Sequence, residues 1–290
     1  MHPRDRITAA AGAAVTLPFL PSLAEALRLT HANGLQTYTP AVPLVAGYLA
    51  WQARSTPVEH PPARAPFWCA IAALTLGGVA IALAPFAVEP AAAAALRVLG
   101  WIALLAGAFA ALPGGAGIYR WRLPLIVLTF LAPLPQAAIA ACEEVLQYAS
   151  AETARALFEL HGTPVHLAGL TLNLPGISLW VAPECSGLRS SLFLLLLTIV
   201  AAGTLLRSTP TRLILVAAVL PIAIARNGLR IFVIGAMCAR QGPAALESPL
   251  HRQGGPVFFV LSLIPWALLL AVLYRREASA RSASAPFSQP

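Results

Sequence analysis

Long apolar runs recur along this chain, and they dictate its fold class before any motif is considered. About 20 predominantly apolar residues in a helix cross the roughly 30 Å hydrocarbon core of a bilayer. Runs of that character lie at 7–29, 67–87, 91–112, 122–141, 188–206, 213–239 and 256–274, with a shorter, proline-bearing one at 38–51. In lipid every backbone N–H and C=O must be satisfied within the protein, so such runs fold as helices. Of 290 residues, 58% are hydrophobic and 10% charged, against about 25% charged in a soluble domain. The expected fold is an all-α polytopic membrane protein with about eight transmembrane helices. Residues 1–274 form a single integral membrane domain, and the Ala/Ser/Pro-rich residues 275–290 form a disordered cytoplasmic tail.

The formal net charge is +8, carried entirely by arginine, since the chain contains no lysine. The arginines recur in pairs in the short loops, which is the pattern of a topology signal rather than of a nucleic-acid surface, and no nucleic-acid partner is expected. With eight spans, Arg4, Arg6, Arg54, Arg64, Arg120, Arg122, Arg207, Arg212, Arg275, Arg276 and Arg281 fall on one side. Short arginine-bearing loops stay inside, so that side is the cytoplasm of an inner or cell membrane, and both termini lie there. Glu89, Glu143, Glu144, Glu152, Glu159, Glu184 and Glu247 then fall on the opposite, extracytoplasmic side. Dropping the 38–51 run would break this agreement at the N-terminus.

Between the fifth and sixth helices lies an external insert, 142–187. Leu146, Ala149, Thr153, Leu157 and Leu160 share one face of a helix from Cys142 to Leu160. Leu170, Leu172 and Leu174 then alternate with Thr171 and Asn173, the period of a short extended segment or hairpin. No pair among Cys69, Cys142, Cys185 and Cys238 has C-x-x-C spacing, and neither a metal nor a cofactor is expected. Cys142 and Cys238 both fall near the outer surface, and the sequence leaves their pairing open.

Three segments at the outer ends of apolar runs carry reactive groups: Pro183–Arg189, Asn227–Ile231 and His251–Gly255. Cys185 sits at a helix start, where positive partial charge favours a thiolate, the nucleophilic form of the thiol. Arg230 lies about 26 Å along the seventh helix from its inner end, near the outer edge of the core, with Arg226 one turn deeper and Asn227 beside it. Intramembrane arginine is costly and faces a partner or a wet cavity. Arg230 can hold a thiolate or stabilise an oxyanion. His251 can act as base toward the thiol and as acid toward a leaving amine. Arg252 is adjacent and can share that role, and His161 and His166 are competing external bases. Glu184 opposes thiolate formation unless paired, with Arg189 one turn into the helix as the candidate partner.

Cys-Ser-Gly-Leu-Arg at 185–189, Asn-Gly-Leu-Arg-Ile at 227–231 and His251 with Gly254-Gly255 resemble the three motif blocks of the exosortase/archaeosortase family. The stretch Pro124–Pro135, with Leu-Ala-Pro-Leu-Pro, is similar to that family's proline-bearing helix, and the resemblance extends over roughly residues 30–274. It implies a membrane-embedded cysteine transpeptidase or protease acting at the outer membrane surface. Its substrates would be exported proteins with a C-terminal sorting tail: a short motif, often Pro-Glu-Pro, then one membrane helix and a basic cluster. By the same resemblance Cys185 is the nucleophile, Arg230 the electrostatic stabiliser and His251 the acid/base. Ser186, Arg189, Asn227, Arg226 and Arg252 are expected at the substrate. The acceptor that resolves the thioacyl enzyme is not specified. Two other readings of the same residues stay open: a transporter with arginines for an anionic cargo, and a surface-polysaccharide assembly factor. In both, Cys185 is not catalytic.

Overall fold

The computed structural model of the chain describes residues 3–55, 67–111, 117–242, 244 and 254–284. The contacts group into two compact units, Met1–Ala138 and Ile139–Pro290. Among the described residues, six helical segments are long and apolar enough to span a membrane: Arg6–Ala32, Phe67–Phe86, Pro90–Ala111, Pro183–Leu205, Thr209–Gln241 and Gly255–Ala280. A broken pair, Ile118–Leu131 with Gln136–Leu160, makes a seventh if it counts as one span. The expected eight are not reached, because the 38–51 run forms a helix of only 14 residues, Val42–Ser55, about 21 Å long. The protein is an integral membrane protein, and aromatic side chains such as Trp51, Phe67, Trp68 and Phe86 stand exposed on its helices, as lipid-facing residues do.

The first unit contains α1 (Pro3–Thr16), α2 (Leu20–Ala32), α3 (Val42–Ser55), α4 (Phe67–Leu83), α5 (Pro90–Ala111) and α6 (Gly117–Leu128). Helices α4 and α5 approach closely along small residues: a Cβ at Gly100 would lie 3.0 Å from the Gly77 carbonyl oxygen. Between helices in lipid, such close packing replaces the hydrophobic effect as the adhesive. Arg97 pairs with Glu25 at 2.7 Å, and Trp101 Nε1 donates to Thr16 Oγ1 at 3.2 Å, tying α5 to the N-terminal helices.

The expected span at 122–141 is interrupted where Pro133 and Pro135 lie. Proline removes a donor and pushes the preceding residue out of the helical region, so the helix ends in a 3-10 turn, Thr129–Leu131, and resumes at Gln136. The amide of Gln36 compensates. Its Nε2 donates to the Ala132 carbonyl at 3.0 Å, and its Oε1 accepts from Leu134 N, also at 3.0 Å. The Glu89 carboxylate then receives Gln136 N at 2.9 and 3.1 Å, supplying an anion where the next helix dipole is positive.

That next helix, α7 (Gln136–Leu160), opens the second unit. Its buried face differs from the expected one. Gln147, Ser150, Ala151, Ala154 and Phe158 are buried with Leu146, while Leu160 is 84% exposed. The covered side is the one that the following sheet and a later helix pack on: Ala151 and Ala154 meet Leu172 and Val181, and Phe158 meets Phe232. A three-stranded antiparallel sheet follows, β1 (His166–Ala168), β2 (Thr171–Leu174) and β3 (Ile177–Trp180), in that order across the sheet. It realises the expected extended segment, with Leu172 paired to Leu167 and to Leu179. Ala151, Ala154, Leu172 and Val181 form the small core joining α7 to the sheet.

The unit continues with α8 (Leu188–Leu205), α9 (Thr209–Ala217), α10 (Val219–Gln241) and α11 (Gly255–Ser284). Their shared core centres on Leu194, Leu206, Leu215 and Trp266, and Trp266 Nε1 donates to the buried Thr198 Oγ1 at 2.9 Å. Helix α11 does not end where the disordered tail was expected. It runs on to Ser284, because its alanine-rich end favours helix and because Glu277 is anchored. The Glu277 carboxylate accepts Arg207 N and Ser208 N, each at 2.9 Å, and the Thr211 hydroxyl, capping the start of α9 together with Ser208. Cys142 and Cys238 are not joined; both are free thiols, and Cys238 is buried.

Candidate active site

Cys185 closes a single 3-10 turn, Pro183–Cys185, and does not itself begin α8. Two backbone bonds shape the turn: Cys185 N to the Ala182 carbonyl at 2.8 Å, and Ser186 N to the Pro183 carbonyl at 2.9 Å. Gly187 then reverses the chain with φ 78° and ψ 9°, and α8 starts at Leu188. Only glycine takes that left-handed geometry without a Cβ penalty. A Cβ there would also lie 3.0 Å from Arg226 Nη2 and 3.1 Å from the Asn227 amide. The thiol is therefore presented just ahead of a helix N-terminus, as the expected placement required, but by a turn and a glycine.

Helix α10 holds this turn from the side. Asn227, 2% exposed, donates from Nδ2 to the Cys185 carbonyl at 2.6 Å. Arg226, 6% exposed, donates from Nη2 to the Gly187 carbonyl at 3.1 Å and to Ser191 Oγ at 3.3 Å. Its other terminal nitrogen, Nη1, is buried with no hydrogen-bond partner among the described residues. Gly228 lets α10 lie against α7, since a Cβ on it would come within 2.5 Å of Thr153. One turn beyond Arg226 stands Arg230. With Cys185, Leu179, Trp180, Val181, Ile231 and Ile234 it lines a cavity of about 60 Å3, the volume of roughly two water molecules at about 30 Å3 each. Apolar walls from β3 and α10 thus surround one thiol and one guanidinium.

The other expected site residues divide. Ser186 is buried, and its hydroxyl accepts from Leu188 N at 3.3 Å, so it shapes the turn. Arg189 is exposed on the first turn of α8. Of the competing bases, His161 is exposed, with Nδ1 2.9 Å from Thr163 Oγ1, and His166 is exposed on β1; neither lines the cavity. His251 and Arg252 lie outside the described residues.

With this geometry in place, the chain can be set beside known proteins. The family model for transmembrane exosortases matches residues 31–270. The chain belongs to the transmembrane exosortase family. Comparison with curated proteins and with solved structures gives no match. Membership in the exosortase family implies a role as a membrane-embedded sorting transpeptidase.

Within this exosortase-family chain, two residues that brace the site were invisible to motif reasoning. Gln147 of α7, 5% exposed, donates from Nε2 to the Val181 carbonyl at 2.8 Å. It fastens the strand that walls the cavity to the helix behind it, four residues before the cysteine. A signal was available: a glutamine followed at helical spacing by the small residues Ser150, Ala151 and Ala154 marks a closely packed helix face. Ser191, which donates to the Gly187 carbonyl at 2.8 Å, is a second such residue.

Proposed function

We propose that this protein is a cysteine transpeptidase or protease that cleaves the C-terminal sorting tail of exported proteins, through a thioacyl intermediate, at the extracytoplasmic membrane surface. The observation that carries this reading is the shared lining of one cavity by Cys185 and Arg230, groups that arrive from two separate motif segments.

The Cys185 thiolate attacks a peptide carbonyl carbon, and the carbonyl electron pair moves onto oxygen. Arg230 lies beside both the sulfur and that oxygen, so its fork of donors stabilises the thiolate first and the oxyanion next. Collapse of the tetrahedral adduct breaks the C–N bond. The departing amine takes a proton from the acid, assigned to His251 with Arg252 as its alternate. The thioester then meets an amine or water, which attacks the same carbon, gives its proton to the base and releases Cys185 as thiolate. Transfer and hydrolysis share every step up to the choice of this second nucleophile. Asn227 and Arg226 act through the turn: they hold the Cys185 and Gly187 carbonyls and so aim the sulfur. The substrate's membrane helix lies against the bundle, its short motif at the outer lip and its basic cluster in the cytoplasm.

The test co-expresses a protein bearing a Pro-Glu-Pro tail, one membrane helix and a basic end with either wild type or Cys185→Ala. Cleavage with wild type alone is expected, and the product mass separates hydrolysis from transfer to an amine. Equal cleavage with Cys185→Ala refutes the cysteine mechanism.

A further inference from the structure

The first unit contains a cavity that the chemistry at Cys185 does not use. It measures about 290 Å3 and lies among α1, α3, α5 and α6, about twice the volume of an apolar cavity known to take up benzene. Its walls include Trp101, Phe109, Trp121 and Leu128, with room left by Gly12 and Gly47. Arg54 is its one formal charge, in the last turn of α3, and Thr8 of α1 lines it as well.

The shape argues for a chain-like occupant. The lining residues of α3 run from Pro43 to Arg54, about 16 Å of helix rise. Free space of that volume, drawn out along one helix, suits a slender apolar chain. Charge argues for the head. Arg54, the charged residue among the described lining residues, stands at the end of α3. Basic residues at a membrane surface attract anionic headgroups.

We infer that this cavity is a lipid site, holding one acyl chain of an anionic phospholipid with the phosphate at Arg54. The site is separate from the thiol, and its test is independent of the proposed peptidase activity. Gly47 lines the cavity and a Cβ on it meets nothing within 4 Å, so a larger side chain starts there without a clash at its root and competes for the free space; it raises helix propensity besides. Gly78 on α4 is equally open but lies outside the cavity, which makes it the matched control.

The full-length chain, purified in detergent, is titrated with phosphatidylglycerol and with phosphatidylcholine of identical acyl chains, and bound lipids are counted by native mass spectrometry. Wild type and Gly78→Trp are expected to keep one phosphatidylglycerol with at least tenfold preference over phosphatidylcholine. Gly47→Trp loses that lipid at least tenfold; Gly47→Leu, a smaller obstruction, gives a partial loss and serves if the tryptophan variant fails to insert. Arg54→Gln keeps a lipid but loses the preference. The inference is overturned by undiminished binding in the Gly47 variants, by an equal loss in Gly78→Trp, by no headgroup preference in wild type, or by a preference that survives Arg54→Gln.

Discussion

Replacing Gly187 by alanine tests whether the turn after Cys185 is held by α10 or merely lies beside it. Two costs can be separated. The first is backbone strain: φ is +78°, and a Cβ in the left-handed region costs about 1–2 kcal/mol. The second is contact, because the new Cβ would sit 3.0 Å from Arg226 Nη2 and 3.1 Å from Asn227. Those are the two groups that hold the Gly187 and Cys185 carbonyls. Displacing a charged and a neutral hydrogen bond costs about 2–4 kcal/mol more. Gly162 isolates the strain: its φ is +77° and a Cβ there meets nothing within 4 Å. Both variants should melt at lower temperature in detergent, Gly162→Ala by the strain alone. Only Gly187→Ala should also lose substrate processing, by roughly 5- to 30-fold if about half the contact cost enters the barrier. Processing by Gly187→Ala at the rate of Gly162→Ala would refute the claim that Arg226 and Asn227 aim the thiol through this turn.

Cys185→Ser should leave at most traces of cleavage in the mass assay, and Arg230→Lys should fall by two orders of magnitude or so, because a point charge does not replace a fork of donors; full activity in either variant removes that residue from the mechanism. Asn227→Asp keeps the size but loses the Nδ2 donor to the Cys185 carbonyl, and is expected to slow processing about 10- to 100-fold with membrane insertion intact, a cost of about 1–3 kcal/mol. Glu277→Ala removes the acceptor for Arg207 N and Ser208 N; proteolysis of the 206–208 connection should accelerate while cleavage of the substrate is unchanged, and an unaltered proteolysis rate would show that the anchor is dispensable.

The apolar runs marked most of the helices, because spanning length and apolarity are what lipid demands, and the motif segments brought Cys185, Asn227 and Arg230 into one neighbourhood. What stayed hidden has physical causes. The break in the fifth run falls at Pro133 and Pro135 rather than at the loss of apolarity near residue 142, since proline ends a helix through its missing donor and not through polarity. The packed face of α7 follows Gln147, Ala151, Ala154 and Phe158 rather than Leu157 and Leu160, because the sheet and α10 settle which side is covered. Helix α11 outruns its apolar stretch because Glu277 finds partners some 70 residues away in sequence, at Arg207 and Ser208. The last two depend on partners distant along the chain, which local pattern does not report.

The Gln36 clamp also bears on how the protein is made. Its two hydrogen bonds reach 96 and 98 residues along the chain, to Ala132 and Leu134. Synthesis proceeds from the N-terminus at about 5–20 residues per second, so the amide precedes the break it satisfies by roughly 5–20 s. A broken backbone arriving in a membrane with no partner would be a late and costly repair. Here the earlier-made segment carries both the donor and the acceptor, and the order of translation matches the order in which the bonds are needed.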